Sequence, residues 1–232
     1  MHIPQSEKIT VEFSKKLIFW ALESGLEIIY VQEKHQLVIY SNSEWIAKMY
    51  LSWLYEWNPK LGLQKNPDSH FSLALVKAGQ ACVGYFHQGN MEDHKVFRAY
   101  MVRQKQGKSQ IKYLKTKGKS RAGSRIRLAE TERFFEEINE RFQSYQDYPI
   151  DFWGISCSKT LWPYLFSSPT PPPFSSDSAS LIELPFHVSK ASFEELEEAG
   201  KLVSEFHLLL TEKGKSMTDT FRTSFGEEDE YW

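Results

Sequence analysis

Cysteine is nearly absent from this 232-residue chain, and its scarcity limits the kinds of site that the chain can build. The two cysteines, Cys82 and Cys157, both lie in apolar, strand-like runs. No pair of Cys or His residues has the spacing of a zinc site. We therefore expect buried, reduced thiols, no disulfide, no metal and no other cofactor.

Long hydrophobic runs are missing as well. Charged residues interrupt every apolar stretch before it reaches the roughly 18 residues of a membrane span. The N-terminus lacks the basic region and apolar run of a secretory signal. A hydrophobic content of 41% with 15% aromatic residues is nevertheless enough for a folded core. These features predict a soluble, cytoplasmic protein with no membrane partner, and we expect a monomer.

The motifs of common hydrolases are also missing. The chain contains no Gly-x-Ser-x-Gly elbow, no Walker loop, no His-Glu-x-x-His helix and no zinc deaminase pattern. Glu92, Asp93 and His94 lie together in a predicted turn, where an acid/base role is disfavoured, and His187 is more typical of a structural histidine. A carboxylate metal-nuclease site needs acids at strand ends, and the predicted strands within 71–88 carry none.

Acidic residues are absent from residues 103–127, which we call the basic segment (RQKQGKSQIKYLKTKGKSRAGSRIR). The chain has a formal net charge of -2, so the rest of it carries -12 once the ten cations of this segment are set aside. A solvated surface loop is the alternative, but clustering ten like charges is costly unless a polyanion neutralises them. No recognition helix is visible, so RNA is favoured over duplex DNA, with binding that weakens steeply in salt. The predicted RNA-binding residues are Arg103, Lys105, Lys108, Lys112, Lys115, Lys117, Lys119, Arg121, Arg125 and Arg127.

A Gly-x-x-Gln turn lies near the start of the basic segment. Gly107 permits backbone angles and close approaches that other residues forbid, and Lys108 and Ser109 complete the turn. The carboxamide of Gln110 has two donor hydrogens and an acceptor oxygen, so it can orient a water and bind a developing charge. Taken alone this motif is weak evidence, because it occurs by chance in many proteins.

The order of apolar runs predicts an α/β fold with a mixed sheet and flanking helices. Residues 1–63 are predicted to form an N-terminal α+β unit of unknown role, with a helix near 11–21 and a hairpin of 26–31 with 36–41. A second helix, capped by Ser41 or Ser43 and closed at Asn58, would carry an aromatic stripe that is more typical of core than of an RNA-stacking surface.

Residues 64–212 are predicted to form a second domain, with the basic segment as a mobile loop. A strand after a helix predicts a β-α-β crossover, and a Ser192–Glu195 capping box opens a helix that extends to about Leu210. Residues 213–232 are predicted to be an acidic, disordered tail. The other predicted elements are strands at 71–78, 81–88, 94–103 and 151–157, a helix at 124–145, a Pro/Ser linker at 167–178 and an edge strand at 181–188.

The basic segment and its flanks resemble the release-factor-like domain of the Vms-like release factor family. The resemblance covers roughly residues 71–212, including the runs HKVFRAYMVRQKQGKSQ and LIELPFHVSKASFEELEEAGKLVSEFH. It implies that residues 64–212 are a release-factor-like catalytic domain in a compact bacterial member. Its core would be similar to the middle domain of eukaryotic class I release factors, an RNase H-like mixed sheet. Arg121 replaces the serine that precedes Ala-Gly in the family. The matching residues are Lys95, Phe97, Tyr100, Arg103, Lys105, Gly107, Gln110, Ala122, Gly123 and Arg127.

The resemblance implies a peptidyl-tRNA hydrolase that frees nascent chains from stalled large ribosomal subunits during ribosome quality control. Gln110 would be the catalytic residue, and the partners would be the large subunit with its peptidyl-tRNA, ribosomal RNA and tRNA. Two alternatives stay open. One is a non-catalytic factor that binds the ribosome or RNA, and the other is an endonuclease that cuts near the tRNA acceptor end.

Overall fold

A computed structural model describes the backbone of residues 1–99 and 119–224, and the side chains of residues 1–99 and 129–219. The chain forms two compact units, each with its own core. The N-terminal unit comprises Met1–Ser69, Pro185–His187 and Lys201–Trp232, and the central unit comprises His70–Leu184 and Val188–Gly200. Within the described residues, no helix combines the length and the apolar character needed to cross a bilayer.

The N-terminal unit is built on a five-stranded antiparallel sheet of order β1-β12-β4-β3-β2. Leu17 and Ile18 of the first helix pack on this sheet against Leu37, Ile39 and Met49. Its strands are β1 (Glu7–Ile9), β2 (Glu27–Val31), β3 (Gln36–Ser41), β4 (Glu44–Tyr50) and β12 (Phe206–Leu210), its helices are α1 (Val11–Glu23) and α5 (Glu212–Ser224), and β5 (Tyr55–Asn58) pairs with β6 (Gly62–Lys65) in a separate hairpin. The predicted first helix and hairpin are confirmed.

The predicted helix that begins at Ser41 or Ser43 is wrong, because residues 44–50 form strand β4. Asn42 and Ser43 have φ angles of 52° and 65° and form the two-residue turn between β3 and β4. Such turns need positive φ at both central residues, whereas a helix N-cap residue has an extended backbone with negative φ. Met49 of β4 lies opposite Leu37 on one side and Leu208 on the other, so strand pairing on both sides outweighs the helical spacing of the aromatic residues.

The C-terminal part of the chain also differs from its prediction. The helix that begins after Ser192 ends at Val203 rather than near Leu210, and residues 206–210 form β12 in the N-terminal sheet. Residues 212–224 form α5, where disorder was predicted from 213, and residues 225–232 lie outside the described part. The Thr211 side chain caps this helix by accepting from the Gly214 N–H at 3.0 Å.

A buried histidine links β2, β3 and the segment after β4 in the N-terminal unit. The Nε2 atom of His35 lies 3.2 Å from the carbonyl oxygen of Ser52 and 3.0 Å from that of Tyr55. Carbonyls only accept, so Nε2 carries the proton and Nδ1 accepts from the Tyr30 hydroxyl at 2.8 Å. Burial lowers the pKa of His35 to about 4, outweighing the two carbonyls, which raise it.

We expect the N-terminal unit to lose stability in mild acid because of His35. The unfolded histidine has a pKa of 6.5 and the folded one a pKa of about 4, so the unfolded state binds more protons between these values. The contribution of neutral His35 to the free energy of unfolding is complete above pH 6.5. It is lost as the pH falls towards 4, and the total loss is about 3 kcal/mol. Urea unfolding at several pH values measures it.

His35→Asn should flatten this pH dependence, since asparagine tolerates the positive φ of 45° at this position and does not titrate. His2→Asn, which changes an exposed histidine of the same unit, is the control and should keep the wild-type dependence. If His35→Asn and the wild type lost stability equally steeply in acid, His35 would not be the source of the pH dependence.

The central unit contains a mixed sheet of order β11-β10-β7-β8-β9, as predicted. Strands β7, β8 and β9 form an antiparallel meander, while β10 runs parallel to β7 and β11 parallel to β10. Helix α2 joins β9 to β10, which confirms the predicted crossover. Strand β11 lies at the sheet edge as predicted, but it ends at Glu183 instead of extending to residue 188. The elements are β7 (His70–Lys77), β8 (Gln80–His87), β9 (Asn90–Arg98), α2 (Lys119–Gln143), β10 (Phe152–Cys157), α3 (Trp162–Phe166), β11 (Leu181–Glu183) and α4 (Phe193–Val203).

Helix α2 covers one face of this sheet. Phe134, Ile138 and Phe142 of α2 point inward, as predicted, and share a buried cluster with Val83 and Ile155 of the strands. The side chain of Ile126, also predicted to face inward, lies outside the described residues. The C-terminal half of α2 is therefore held to the sheet by apolar packing.

Residues 167–178 contain no helix or strand, as predicted, but they pack on the core instead of forming a free linker. Asn139 is fully buried, and its Nδ2 donates to the carbonyl oxygens of Leu165 at 2.7 Å and Thr170 at 2.8 Å. The ring of Phe174 contacts Phe142 and Trp153. Proline-rich sequence thus gains order from tertiary contacts that its composition does not reveal.

Helix α4 begins with the predicted cap, because Ser192 Oγ accepts from the Glu195 N–H at 3.3 Å. The Glu195 carboxylate does not complete a capping box, and instead accepts from the backbone N–H groups of Ser189 and Lys190, each at 2.9 Å. Gly200 lets this helix approach β8 closely, since a Cβ atom there would lie 2.3 Å from the Phe86 ring.

Candidate functional site

Four strands of the central unit end at one edge of its sheet. Strands β7, β9, β10 and β11 run in the same direction, so their last residues, Lys77, Arg98, Cys157 and Glu183, lie along what we call the carboxyl edge. Ligands of open α/β sheets bind outside the carboxyl ends of the strands. This edge is therefore where the fold favours a functional site.

The chain enters the basic segment from the carboxyl edge. Strand β9 ends at Arg98, and the Ala99 N–H donates to the carbonyl oxygen of Gly79 at 3.0 Å, which anchors the exit of the strand. The chain returns to the sheet through α2, whose first residue is Lys119. The sheet and helix thus hold both ends of the stretch that contains the Gly-x-x-Gln turn.

The predicted site residues are only partly covered by the structure. Lys119, Arg121, Arg125 and Arg127 lie in helix α2, and their side chains are outside the described residues. Their roles, and those of the residues between Ala99 and Lys119, stay predictions. Wholly outside the described residues are Arg103, Lys105, Gly107, Lys108, Ser109, Gln110, Lys112, Lys115 and Lys117.

A lysine at the carboxyl edge is held by an aromatic ring. The Nζ atom of Lys159, two residues after β10, lies 3.3 Å from the centroid of the Trp162 ring and pairs with the Glu183 carboxylate. The Lys159 and Glu183 side chains are 61% and 55% exposed. A pair this exposed contributes little to stability, so a phosphate can replace Glu183 as the partner of the ammonium group at low cost.

Lys77, Arg98 and Lys159 were missed as functional candidates from the sequence. We grouped cations by their density along the chain, and these three are isolated in sequence. The signal that would have found them is a cation at or directly after the end of a β-rich run, since strands that run the same way end at one edge.

The thiol of Cys157, at the carboxyl edge, is held in its protonated form. Burial raises the pKa of Cys157 to about 12, with Lys159 opposing and Glu183 adding to the effect. Burial likewise raises the pKa of Cys82 to about 12. Both side chains are therefore free thiols at neutral pH, as predicted, but only Cys82 is buried, and Cys157 is half-buried.

The disfavoured acid/base set lies in the first half of β9, and not in the turn predicted there. Asp93 pairs with Arg141 of α2, and the His94 ring packs against Phe193 with 4.6 Å between ring centroids. His94 precedes the last residue of β9, Arg98, by four residues, which is about 13 Å along a strand, and Asp93 lies one residue further back. They do not combine into an acid/base pair.

Comparison with known proteins gives three results. A family model described as Bacteroidetes VLRF1 release factor matches residues 71–210. A solved structure titled "Vms1 mitochondrial localization core" aligns with a TM-score of 0.45 at 14% identity, covering 86% of this chain and 84% of that chain. The curated proteins contain no match to this sequence.

The match to the family model covers more than half of the chain and includes the basic segment, both of its anchors and the closing strand β12. It agrees with the resemblance found in the Gly-x-x-Gln turn and its flanks. This chain therefore belongs to the Bacteroidetes VLRF1 release factor family.

Proposed function

We propose that this protein is a peptidyl-tRNA hydrolase that releases nascent chains from stalled large ribosomal subunits. The observation that carries the proposal is the release-factor family match across residues 71–210, which brackets a Gly-x-x-Gln turn inside a segment of ten cations and no acid. On this proposal the protein acts in ribosome quality control as a cytoplasmic monomer and uses no metal.

The fold supports the proposal. A meander of three antiparallel strands followed by two parallel strands, with α2 in the crossover, is compatible with an RNase H-like core of the kind found in the middle domain of class I release factors. Such a sheet is a rigid base for a long catalytic loop, because the loop leaves it at an anchored strand end and returns through α2, whose C-terminal half packs on the same sheet.

Gln110 would position the attacking water. Its carboxamide oxygen accepts from one water hydrogen and directs the water oxygen at the ester carbonyl carbon, while its N–H groups can donate to the developing oxyanion. The bond between this carbon and the tRNA ribose oxygen breaks, and the ribose oxygen takes up the proton lost by the water. A glutamine side chain does not titrate, so it would not act as a general acid or base. It would act by positioning the water, which can lower the activation free energy by several kcal/mol.

The lysines and arginines of the basic segment would bind RNA. Their charge lets the segment enter a space lined by phosphates, with release of counterions and a strong dependence on salt. Lys77, Arg98 and Lys159 at the carboxyl edge extend this positive surface onto the folded body. Gly107 would let the backbone of the turn approach the ester closely.

The test uses stalled large-subunit complexes that carry labelled peptidyl-tRNA. We expect the wild-type protein to release the peptide and to leave the tRNA at full length. A shortened tRNA would replace the proposal with the endonuclease alternative. Stable binding without any release would replace it with the non-catalytic ribosome-binding factor.

A matched set of charge variants tests the role of the basic segment. Reversing Lys112, Lys115 and Lys117 to glutamate should weaken binding to the large subunit by at least about 100-fold, since each phosphate contact adds to the salt-dependent affinity. Reversing Lys15, Lys16 and Lys34, which are exposed in the N-terminal unit, is the control and should have a much smaller effect. Equal losses in both variants would mean that overall charge, rather than this segment, drives binding.

A further inference from the structure

A cleft in the central unit has no part in the proposed hydrolysis. It has a volume of about 480 Å³ and lies where the end of β8, the start of β9 and the end of α2 meet. This is the opposite end of β9 from the carboxyl edge. We call it the amino-edge cleft, and its lining residues are Tyr85, His87, Glu92, Asp93, Arg141, Ser144, Tyr145 and Tyr148.

One wall of the amino-edge cleft is a fixed aromatic surface. The ring of Tyr148 is 46% exposed and stacks on Tyr85 with 4.4 Å between centroids and 18° between planes. Tyr85 is buried, and its hydroxyl lies 2.7 Å from Nδ1 of His70. The buried partner holds the exposed ring in one orientation, which reduces the entropy that a ligand would lose in stacking on it.

Two buried donors in the cleft lack well-formed partners. Tyr145 is 2% exposed, and its hydroxyl lies close to Asp93 and Arg141 without a well-aligned hydrogen bond to any described residue. The Nε–H of Arg141 also has no acceptor among the described residues. Burial is the main cause that raises the pKa of Tyr145, so the hydroxyl stays protonated. Both groups would be satisfied by a carbonyl oxygen of a ligand.

The surroundings of the cleft are negative. Arg141 is the one cation among the described lining residues, and Asp93 neutralises it. Glu92 is exposed in the lining, the exposed Asp147 directly precedes Tyr148 in the chain, and the C-terminal end of α2 adds a partial negative charge. A phosphate group would be repelled here, whereas a guanidinium would be attracted by the carboxylates and stack on a tyrosine ring.

We propose that the amino-edge cleft binds an arginine-bearing peptide segment of a partner protein. The guanidinium lies against Tyr148 and pairs with Glu92, and peptide carbonyls accept from Arg141 Nε–H and the Tyr145 hydroxyl. A peptide is favoured over RNA because it supplies the cation and the carbonyl acceptors together and brings no phosphate into a negative site. The proposal is independent of the hydrolase activity.

The experiment is an NMR titration of the full-length, ¹⁵N-labelled protein. The probe is acetyl-Gly-Arg-Gly-Arg-Gly-amide, and the same peptide with glutamate in place of arginine is the comparison. We expect the arginine peptide to shift the amide signals of residues 85–93 and 141–148, with an affinity that falls as salt is raised. The glutamate peptide should leave these signals unchanged.

Two variants test the contacts separately. Tyr148→Ala should weaken binding of the arginine peptide about fivefold by removing the ring, and Glu92→Gln about threefold by removing an exposed charge. Tyr164→Ala and Glu132→Gln change a partly exposed tyrosine and an exposed acid elsewhere in the unit, so they should bind like wild type.

Three outcomes would overturn the proposal. The first is no shift at the cleft with the arginine peptide, and the second is equal binding by Glu92→Gln, Tyr148→Ala and wild type. The third is a single-stranded RNA oligonucleotide that shifts the cleft signals more strongly than the peptide does, which would assign the site to nucleobases instead.

Discussion

Gln110→Leu should lower peptide release from stalled large subunits by at least about 100-fold while leaving binding to the subunit unchanged. Leucine has a similar size but neither donor nor acceptor, so it removes water positioning and oxyanion contact and keeps the ten cations of the basic segment. Losses of this size are typical when a single group that contacts the transition state is removed. Release is measured from labelled peptidyl-tRNA, and binding by co-sedimentation.

The basic segment contains its own controls for this experiment. Gln104 and Gln106 precede the turn by a few residues, so Gln104→Leu and Gln106→Leu make the same chemical change without touching Gln110. Both should release peptide at close to the wild-type rate. Undiminished release by Gln110→Leu would remove this side chain from the mechanism. Loss of binding together with release would instead assign it to RNA anchoring.

Gly214→Ala should destabilise the N-terminal unit by about 2 kcal/mol or more, although alanine is the better helix former. A Cβ atom at this position in α5 would lie 2.1 Å from the carbonyl oxygen of Ile46, which is backbone of strand β4. The helix would have to move away, which disturbs the bond from the Thr211 N–H to the same oxygen at 3.0 Å. Urea unfolding measures the loss.

Ser216→Ala is the matched control, because it makes a similar change at an exposed position of the same helix and should alter stability by no more than about 0.5 kcal/mol. An unchanged or raised stability in Gly214→Ala would show that α5 does not pack on β4. The prediction of a disordered tail from residue 213 would then be the better description.

Local patterns predicted the elements whose partners are near in sequence. The hairpin of β2 and β3 and the meander of β7, β8 and β9 follow from β-rich runs separated by short polar turns. Helix α2 follows from inward apolar residues such as Phe134, Ile138 and Phe142. In each case the residues that decide the structure lie within a few tens of positions of one another.

The predictions were wrong where the structure of a segment depends on residues that are far away in the sequence. Strand β4 carries aromatic residues at a helical spacing, but it gains hydrogen bonds on both sides from β3 and from β12, some 160 residues away. Residues 206–210 look like the end of an amphipathic helix, yet they fill the gap between β1 and β4. The Pro/Ser stretch gains order from Asn139, which precedes it by some 30 residues.

The candidate site also has a part that the local sequence reveals and a part that only the tertiary structure reveals. Charge density and the Gly-x-x-Gln turn are properties of a continuous stretch, so the sequence alone identified the basic segment and the release-factor family to which the chain belongs. The carboxyl edge and the amino-edge cleft exist only after β7, β9 and β10 are aligned and α2 packs on them. Lys77, Arg98 and Lys159 share an edge, and Tyr148 shares a cleft with Glu92, because strand pairing brings together side chains that are far apart along the chain.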